Sequence, residues 1–124
     1  MTDPYSKQVR ALFREPAHAG RLDDGIEARV DDQGVRIHLT LSASGGRVRS
    51  ARFQAWGCPH VLAACEAFCR AAEGRDLSDL ADYSAATLMQ SLAIPVEKTS
   101  RILVLEDAVR SLGAAAAAPN DSQS

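Results

Sequence analysis

Cys58 is the residue best placed to do chemistry in this chain. It stands between Gly57 and Pro59, where an alternating apolar pattern gives way to a helical one. With Pro59 at the first helical position, the sulfur would lie at a helix N-terminus. Backbone N–H groups and the positive dipole end favour thiolate over thiol there. Such a thiolate can accept a sulfur atom as a persulfide, or bind iron. His60, two residues on, could face the same space and add an imidazole ligand; the plainer reading makes it a solvated first-turn side chain. Asp31-Asp32-Gln33-Gly34 reads as a turn, since aspartate and glycine are ordinary turn residues. Cys65 lies seven residues beyond Cys58, roughly 10 Å along a helix, which is too far to share one small cluster. Cys69 is farther still. Both fall on an apolar stripe and read as core. His38, on the polar face of a strand, and His18, in a loop, are weaker ligand candidates. Trp56 reads as a packing anchor for a strand end, and Asp23-Asp24 and Glu106-Asp107 as solvated charge. No serine–histidine–acid arrangement, phosphate-cradling glycine loop or paired-carboxylate spacing suggests a hydrolase or a nucleotide enzyme.

The elements that must position Cys58 follow from periodicity. A short helix over Tyr5–Phe13 stops at Pro16, and a polar loop follows. Ala28 and Val30, then Val35, Ile37, Leu39 and Leu41, then Ala51, Phe53 and Ala55 alternate with polar residues, which predicts three antiparallel strands with one buried face. Asp31-Asp32-Gln33-Gly34 and Ser44-Gly45-Gly46 supply the turns. From Val61 the period becomes helical, with Leu62, Cys65, Phe68, Cys69 and Ala72 on one stripe. Asp76 and Ser84 can cap two short helices. After Pro95 a last helix places Ile102, Leu105, Val109 and Leu112 on one side. The expected class is α+β: a three-stranded antiparallel sheet with one face covered by helices. Residues 1–113 read as a single domain, and 114–124, an alanine run followed by Pro119, as a disordered tail.

Composition narrows the partners. The 124 residues are 46% hydrophobic, enough for one core, and 14 basic against 16 acidic residues leave a net charge of −2. That balance predicts neither a nucleic acid nor a membrane surface as partner. No apolar run nears the roughly 20 residues of a membrane span. Met1-Thr2-Asp3-Pro4 lacks signal-peptide character, and an odd cysteine number argues against disulfide staples. The expected location is cytoplasmic.

With its elements in this order, the sequence resembles the IscU/NifU N-terminal family of iron–sulfur cluster assembly scaffolds, a SufE-like architecture. The residues that carry the likeness are Tyr5, Phe13, Pro16 and Gly20. To these are added Val48 to Cys58 ending in Trp56-Gly57-Cys58, Ala63-Ala64-Cys65, Glu73-Gly74, and Leu103 to Ala108. The resemblance implies three cluster-ligating cysteines, helped by an aspartate and a histidine. Cys58 matches the middle one. The first falls at Asp31 or Asp32 and the third at Arg101, with Ser100 at the histidine position and the family's lysine kept as Lys98. Ile94-Pro95-Val96-Glu97-Lys98 partly keeps the segment shown to a chaperone. A guanidinium cannot ligate metal, and its charge opposes a nearby Fe²⁺.

Three functional expectations follow. The first is a scaffold-like protein, not an enzyme, that binds iron or sulfur through Cys58 with an incomplete ligand set. Asp31, Asp32, His60 or a partner protein would fill the gaps around a transient cluster or iron. The second is an accessory module, without metal, that docks on a cysteine desulfurase or an assembly chaperone. The third is a thiol-dependent transferase with Cys58 as nucleophile and His60 as its base. The chain is expected to act as a monomer or homodimer.

Overall fold

The structure, a computed structural model, describes residues 5–14 and 16–117. The expectations for the first four residues and for Pro119 onward lie outside the described residues.

Strands β1 (Ile26–Asp32), β2 (Val35–Ser44) and β3 (Arg47–Trp56) form one antiparallel sheet in the order β1-β2-β3. Both connections are two-residue turns with positive φ at each position, Gln33-Gly34 at 55° and 72° and Gly45-Gly46 at 61° and 78°. This is the turn whose twist matches that of the strands it joins. The tight turns fix the register, pairing Asp32 with Val35 and Ser44 with Arg47, and a bulge at Ser42/Ala43 absorbs one residue.

Helix α1 (Lys7–Arg14) precedes the sheet; α2 (Pro59–Ala72), α3 (Ala86–Ser91) and α4 (Thr99–Ala117) follow it, with 3-10 turns at Leu77–Asp82 and Val96–Lys98. The inner sheet face, with Val35, Ile37, Leu39, Leu41 and Phe53, packs on α2 and α4, whose Cys65, Phe68, Ile102, Leu105 and Val109 are also buried. Each such side chain contributes roughly 1.5–3 kcal/mol by leaving water. The expected α+β class, helices over one face of a three-stranded sheet, is the observed one. Helix α1 is held differently. Only Val9 is fully buried, and Ser6 Oγ caps the helix by accepting from Val9 N (3.1 Å) while donating to Leu92 O (2.9 Å).

Two features differ from the sequence reading. The alanine run after Gly113 does not fray at once: α4 continues to Ala117, since alanine is the best helix former. Gly113 lies where α4 crosses the Leu77–Asp82 turn, and a Cβ there would come within 2.4 Å of Ala81 N. Glu106 is not simply solvated charge. Its carboxylate accepts from Ala85 N (2.9 Å) at the start of α3, where Ser84 Oγ accepts from Ala86 N only at 3.3 Å.

The β3 edge is covered at Val48 and Phe53. Phe53 N donates to His18 O (3.0 Å), Gly20 N donates to Phe53 O (2.7 Å), and Val48 exchanges hydrogen bonds with Gly74 and Arg75. Covering an edge in this way removes a template for pairing with other chains.

Candidate functional site

Where β3 ends, Gly57 turns the chain and Cys58 becomes the residue that caps α2. Its backbone is extended (φ −80°, ψ 168°), and its carbonyl accepts from Val61 N (2.9 Å) and Leu62 N (3.2 Å). Pro59 fills the first helical position, where a missing N–H costs nothing. Sγ makes no close cap hydrogen bond of its own and is half-buried. Burial works against the thiolate. It is outweighed by the amides of Val61 and His60, by a hydrogen bond from the Arg101 side chain and by the charge of Lys98, so the thiol is held below its ordinary range. The two cations arrive from the start of α4 and the turn before it, an approach that no local pattern in the sequence encodes.

The other cysteines are inert by comparison. Burial pushes the thiols of Cys65 and Cys69 far up, and the Glu66 charge adds to both. Both are fully buried, as their place on the apolar stripe implies.

The remaining proposed ligands do not gather at the sulfur. His60 is only 2% exposed; its ring lies against Tyr5, centroids 4.7 Å apart, inside the α1–α2 contact. It is therefore not the solvated first-turn side chain of the plainer reading. Two residues turn a helix by about 200°, so a side chain at that offset points away from the cap. Asp31 and Asp32 are exposed. Asp31 takes a hydrogen bond from Arg36 Nε (3.2 Å), and Asp32 accepts from Gln33 N (2.9 Å), which is turn duty. Register does bring the hairpin end to the same end of the sheet as Cys58, since Asp31 pairs with Arg36 and Arg36 with Trp56. The Arg36 guanidinium lies 5.9 Å from the Trp56 ring. Among the described residues, no three His, Cys, Asp or Glu side chains converge as metal ligands. One thiolate flanked by a guanidinium and an ammonium does not fit a resident zinc ion, which takes four anionic or neutral donors.

Trp56 is 66% exposed and so does not anchor the strand end by burial. With Phe13, Pro16, Ala19 and Leu62 it lines a groove of about 250 Å³ beside the Cys58 turn.

One polar cluster escaped the sequence reading. His18 N and Nδ1 contact the two oxygens of Glu66 at 2.7 and 2.6 Å, and His18 Nε2 lies 3.1 Å from a Glu73 oxygen. Arg70 Nε donates to Glu66 (2.7 Å), while Ala51 N (3.1 Å) and Arg52 (3.2 Å) donate to Glu73. The Glu66–Arg70 spacing of four was the one local sign of it. His38 bridges Gln54 and Glu27 on the outer sheet face at 3.2 and 3.3 Å.

The family model for the NifU-like N terminal domain matches residues 4–117. The chain belongs to the NifU-like N-terminal domain family. It is 29% identical over 100 residues to the bifunctional protein NifU/MnmA of Rubrobacter xylanophilus, covering 77% of this chain and 20% of that protein. It is 28% identical over 75 residues to the zinc-dependent sulfurtransferase SufU of Bacillus subtilis, covering 59% of this chain and 51% of that one. This NifU-like chain thus spans a fifth to a half of the length of the curated relatives it matches. A nitrogen-fixing NifU-like protein (N-terminal) from Brucella abortus superposes with a TM-score of 0.69 at 16% identity, covering 91% of this chain and 95% of that one. An iron–sulfur cluster assembly scaffold protein for the SUF system from Fervidobacterium islandicum gives 0.70 at 9%, covering 87% and 95%. These two structures share the fold of this NifU-like domain.

Proposed function

We propose that this NifU-like domain is a scaffold-like participant in iron–sulfur cluster assembly that receives sulfur at Cys58. The observation that carries this reading is the half-buried Cys58 sulfur at the start of α2, where the amides of Val61 and His60, Arg101 and Lys98 outweigh burial and lower its pKa. Cations around a sulfur favour an anionic persulfide and oppose Fe²⁺ or Zn²⁺. The partner is a cysteine desulfurase carrying a persulfide. Cys58 thiolate attacks the outer sulfur, a new S–S bond forms on Cys58, and the bond to the desulfurase cysteine breaks. That cysteine leaves as thiolate, so no net redox change occurs. Cargo iron and any further cluster ligands come from a second protein. The domain acts as a stoichiometric carrier and not as an independent enzyme, and we place it in the cytoplasm. Among the described residues no helix is long and apolar enough to cross a membrane.

The absence of a converging ligand set among the described residues favours, as second reading, an accessory module that docks on the desulfurase without accepting sulfur. One experiment separates the two. Anaerobic incubation with cysteine and a cysteine desulfurase, followed by intact mass measurement, should add one reducible sulfur to the wild type and none to C58S. An unmodified wild type that still binds the desulfurase would select the docking module. Iron and sulfide added alone should give no stable visible chromophore; a cluster stable on this chain by itself would overturn the sulfur-only reading.

A further inference from the structure

The segment Pro16–Gly20 covers the β3 edge but is not held by packing. None of its side chains is fully buried. Its attachments are the two main-chain hydrogen bonds to Phe53 and the contacts of His18 to Glu66 and Glu73. Glu66 has a side-chain exposure of 0%, so these contacts reach into the protein interior.

The two ring contacts make a chemical demand. A neutral imidazole has one N–H, and only an imidazolium can donate from both nitrogens to two carboxylates. The surroundings tolerate the loss of that proton. Glu66 keeps Arg70, and Glu73 keeps Arg52 and Ala51 N. Two carboxylates would then face two guanidinium groups, a balanced set. Cys69 beneath them adds no charge, since burial keeps its thiol protonated. Deprotonation therefore removes one of the two ring bonds, leaving the His18 amide on Glu66 and the two Phe53 bonds, and orphans no carboxylate.

We infer that His18 is a protonation-controlled pin: as imidazolium it fastens the 16–20 strap over the β3 edge from both ring nitrogens, and as neutral imidazole, one ring bond fewer, it lets the strap lift more often. Lifting exposes the N–H and C=O of Phe53, which then present an unpaired strand edge. It also removes Pro16 and Ala19 from the wall of the groove shared with Trp56. The pin thus couples one proton to the surface next to the Cys58 turn. It is independent of whether Cys58 accepts sulfur.

Amide hydrogen exchange on the full chain tests this, read at Gly20 and Phe53 and corrected for intrinsic pH dependence. Measurement runs from mildly acidic to alkaline pH, with the His18 ring followed by NMR. Exchange at both amides should accelerate roughly ten- to hundredfold as the ring loses its proton, the worth of one charge-assisted hydrogen bond. The amide of Leu39, in the sheet centre, should not respond. Trp56, the sole tryptophan, should change its fluorescence over the same range. H18Q should exchange rapidly at Gly20 and Phe53 at every pH and lose the fluorescence step, and E73Q should shrink the step. Flat corrected exchange across the His18 titration, or wild-type protection in H18Q, overturns the inference. If H18Q does not fold, the wild-type titration decides alone, because it needs no substitution.

Discussion

Glu66→Gln is the sharpest perturbation of the polar cluster, because it changes charge without changing size. The carboxylate accepts three hydrogen bonds of 2.6 to 2.7 Å from two donors of His18 and one of Arg70. An amide in its place can serve one side through its oxygen, but its NH₂ group must then face another donor. With the oxygen turned to Nδ1 and Arg70, the bond from the His18 amide is lost, at roughly 1.5–3 kcal/mol, and the other two fall to neutral strength, at about 1 kcal/mol each. Relief of the carboxylate's own desolvation returns part of this, so a net loss of about 2–4 kcal/mol is expected, near the value for breaking a buried pair. For a chain of this size that is a fall in Tm of roughly 8–16 °C, taking about 4 °C per kcal/mol. The pH profile carries a second signature. Burial would raise the Glu66 carboxyl, but the His18 amide, Arg70 and the His18 ring prevail and hold it below its usual range. Glu73 is likewise lowered, by the Ala51 amide, His18 and Arg52 against a burial effect that raises it. A depressed folded value stabilises above the unfolded pKa of about 4.3 and is lost as pH falls through the folded value. Denaturant unfolding from neutral pH downward should therefore show the wild type losing stability below about pH 5, and E66Q losing less over that interval. A variant within about 0.5 kcal/mol of wild type, or parallel acid slopes, would refute the assignment of Glu66 as an ionised, buried acceptor.

Other expectations can be checked separately. G113A gains helix propensity of roughly 1 kcal/mol but drives a Cβ into the Ala81 backbone, so a net destabilisation of about 1–2 kcal/mol is expected in thermal unfolding; an unchanged or higher Tm would contradict the close crossing. In the native protein, a thiol probe should label Cys58 below pH 8 and leave Cys65 and Cys69 untouched until unfolding, as peptide mapping would reveal. R101A should move the pH at which Cys58 is half-alkylated upward, and an unmoved profile would remove Arg101 from the site. W56A, at an exposed position, should alter stability by less than about 0.5 kcal/mol while weakening desulfurase binding in a titration; unaltered binding would take Trp56 out of the docking face.

What the sequence could reveal was whatever is local and periodic. Val35, Ile37, Leu39 and Leu41 alternate cleanly because one sheet face is buried, and Gly34 tolerates the left-handed backbone that a two-residue hairpin needs. Cys65 and Cys69 followed from the stripe of α2. The failures share a cause in distance or direction. His18 meets Glu66 and Glu73 across 48 and 55 residues, and neither a loop histidine nor a helical glutamate advertises a partner so remote. His60 was placed correctly along the chain but not around the helix axis. Trp56 was taken for a packing anchor because large aromatics usually are, yet it falls on the strand face that no helix covers.

Arg101 shows how a fold can keep its geometry while inverting its chemistry. In the resemblance to the scaffold family, the start of the last helix supplies a third thiolate, and here the same place sends a guanidinium to the Cys58 sulfur. A metal site gathers negative donors around a cation, whereas this one gathers cations around a single negative sulfur. On the proposed reading the two arrangements select opposite cargo at one position: cations would oppose divalent iron and favour a persulfide, whose outer sulfur is anionic. The charge of Lys98 acts in the same direction. Under the proposed reading, sulfur transfer on this domain would proceed without cluster assembly, and iron would meet that sulfur on another surface.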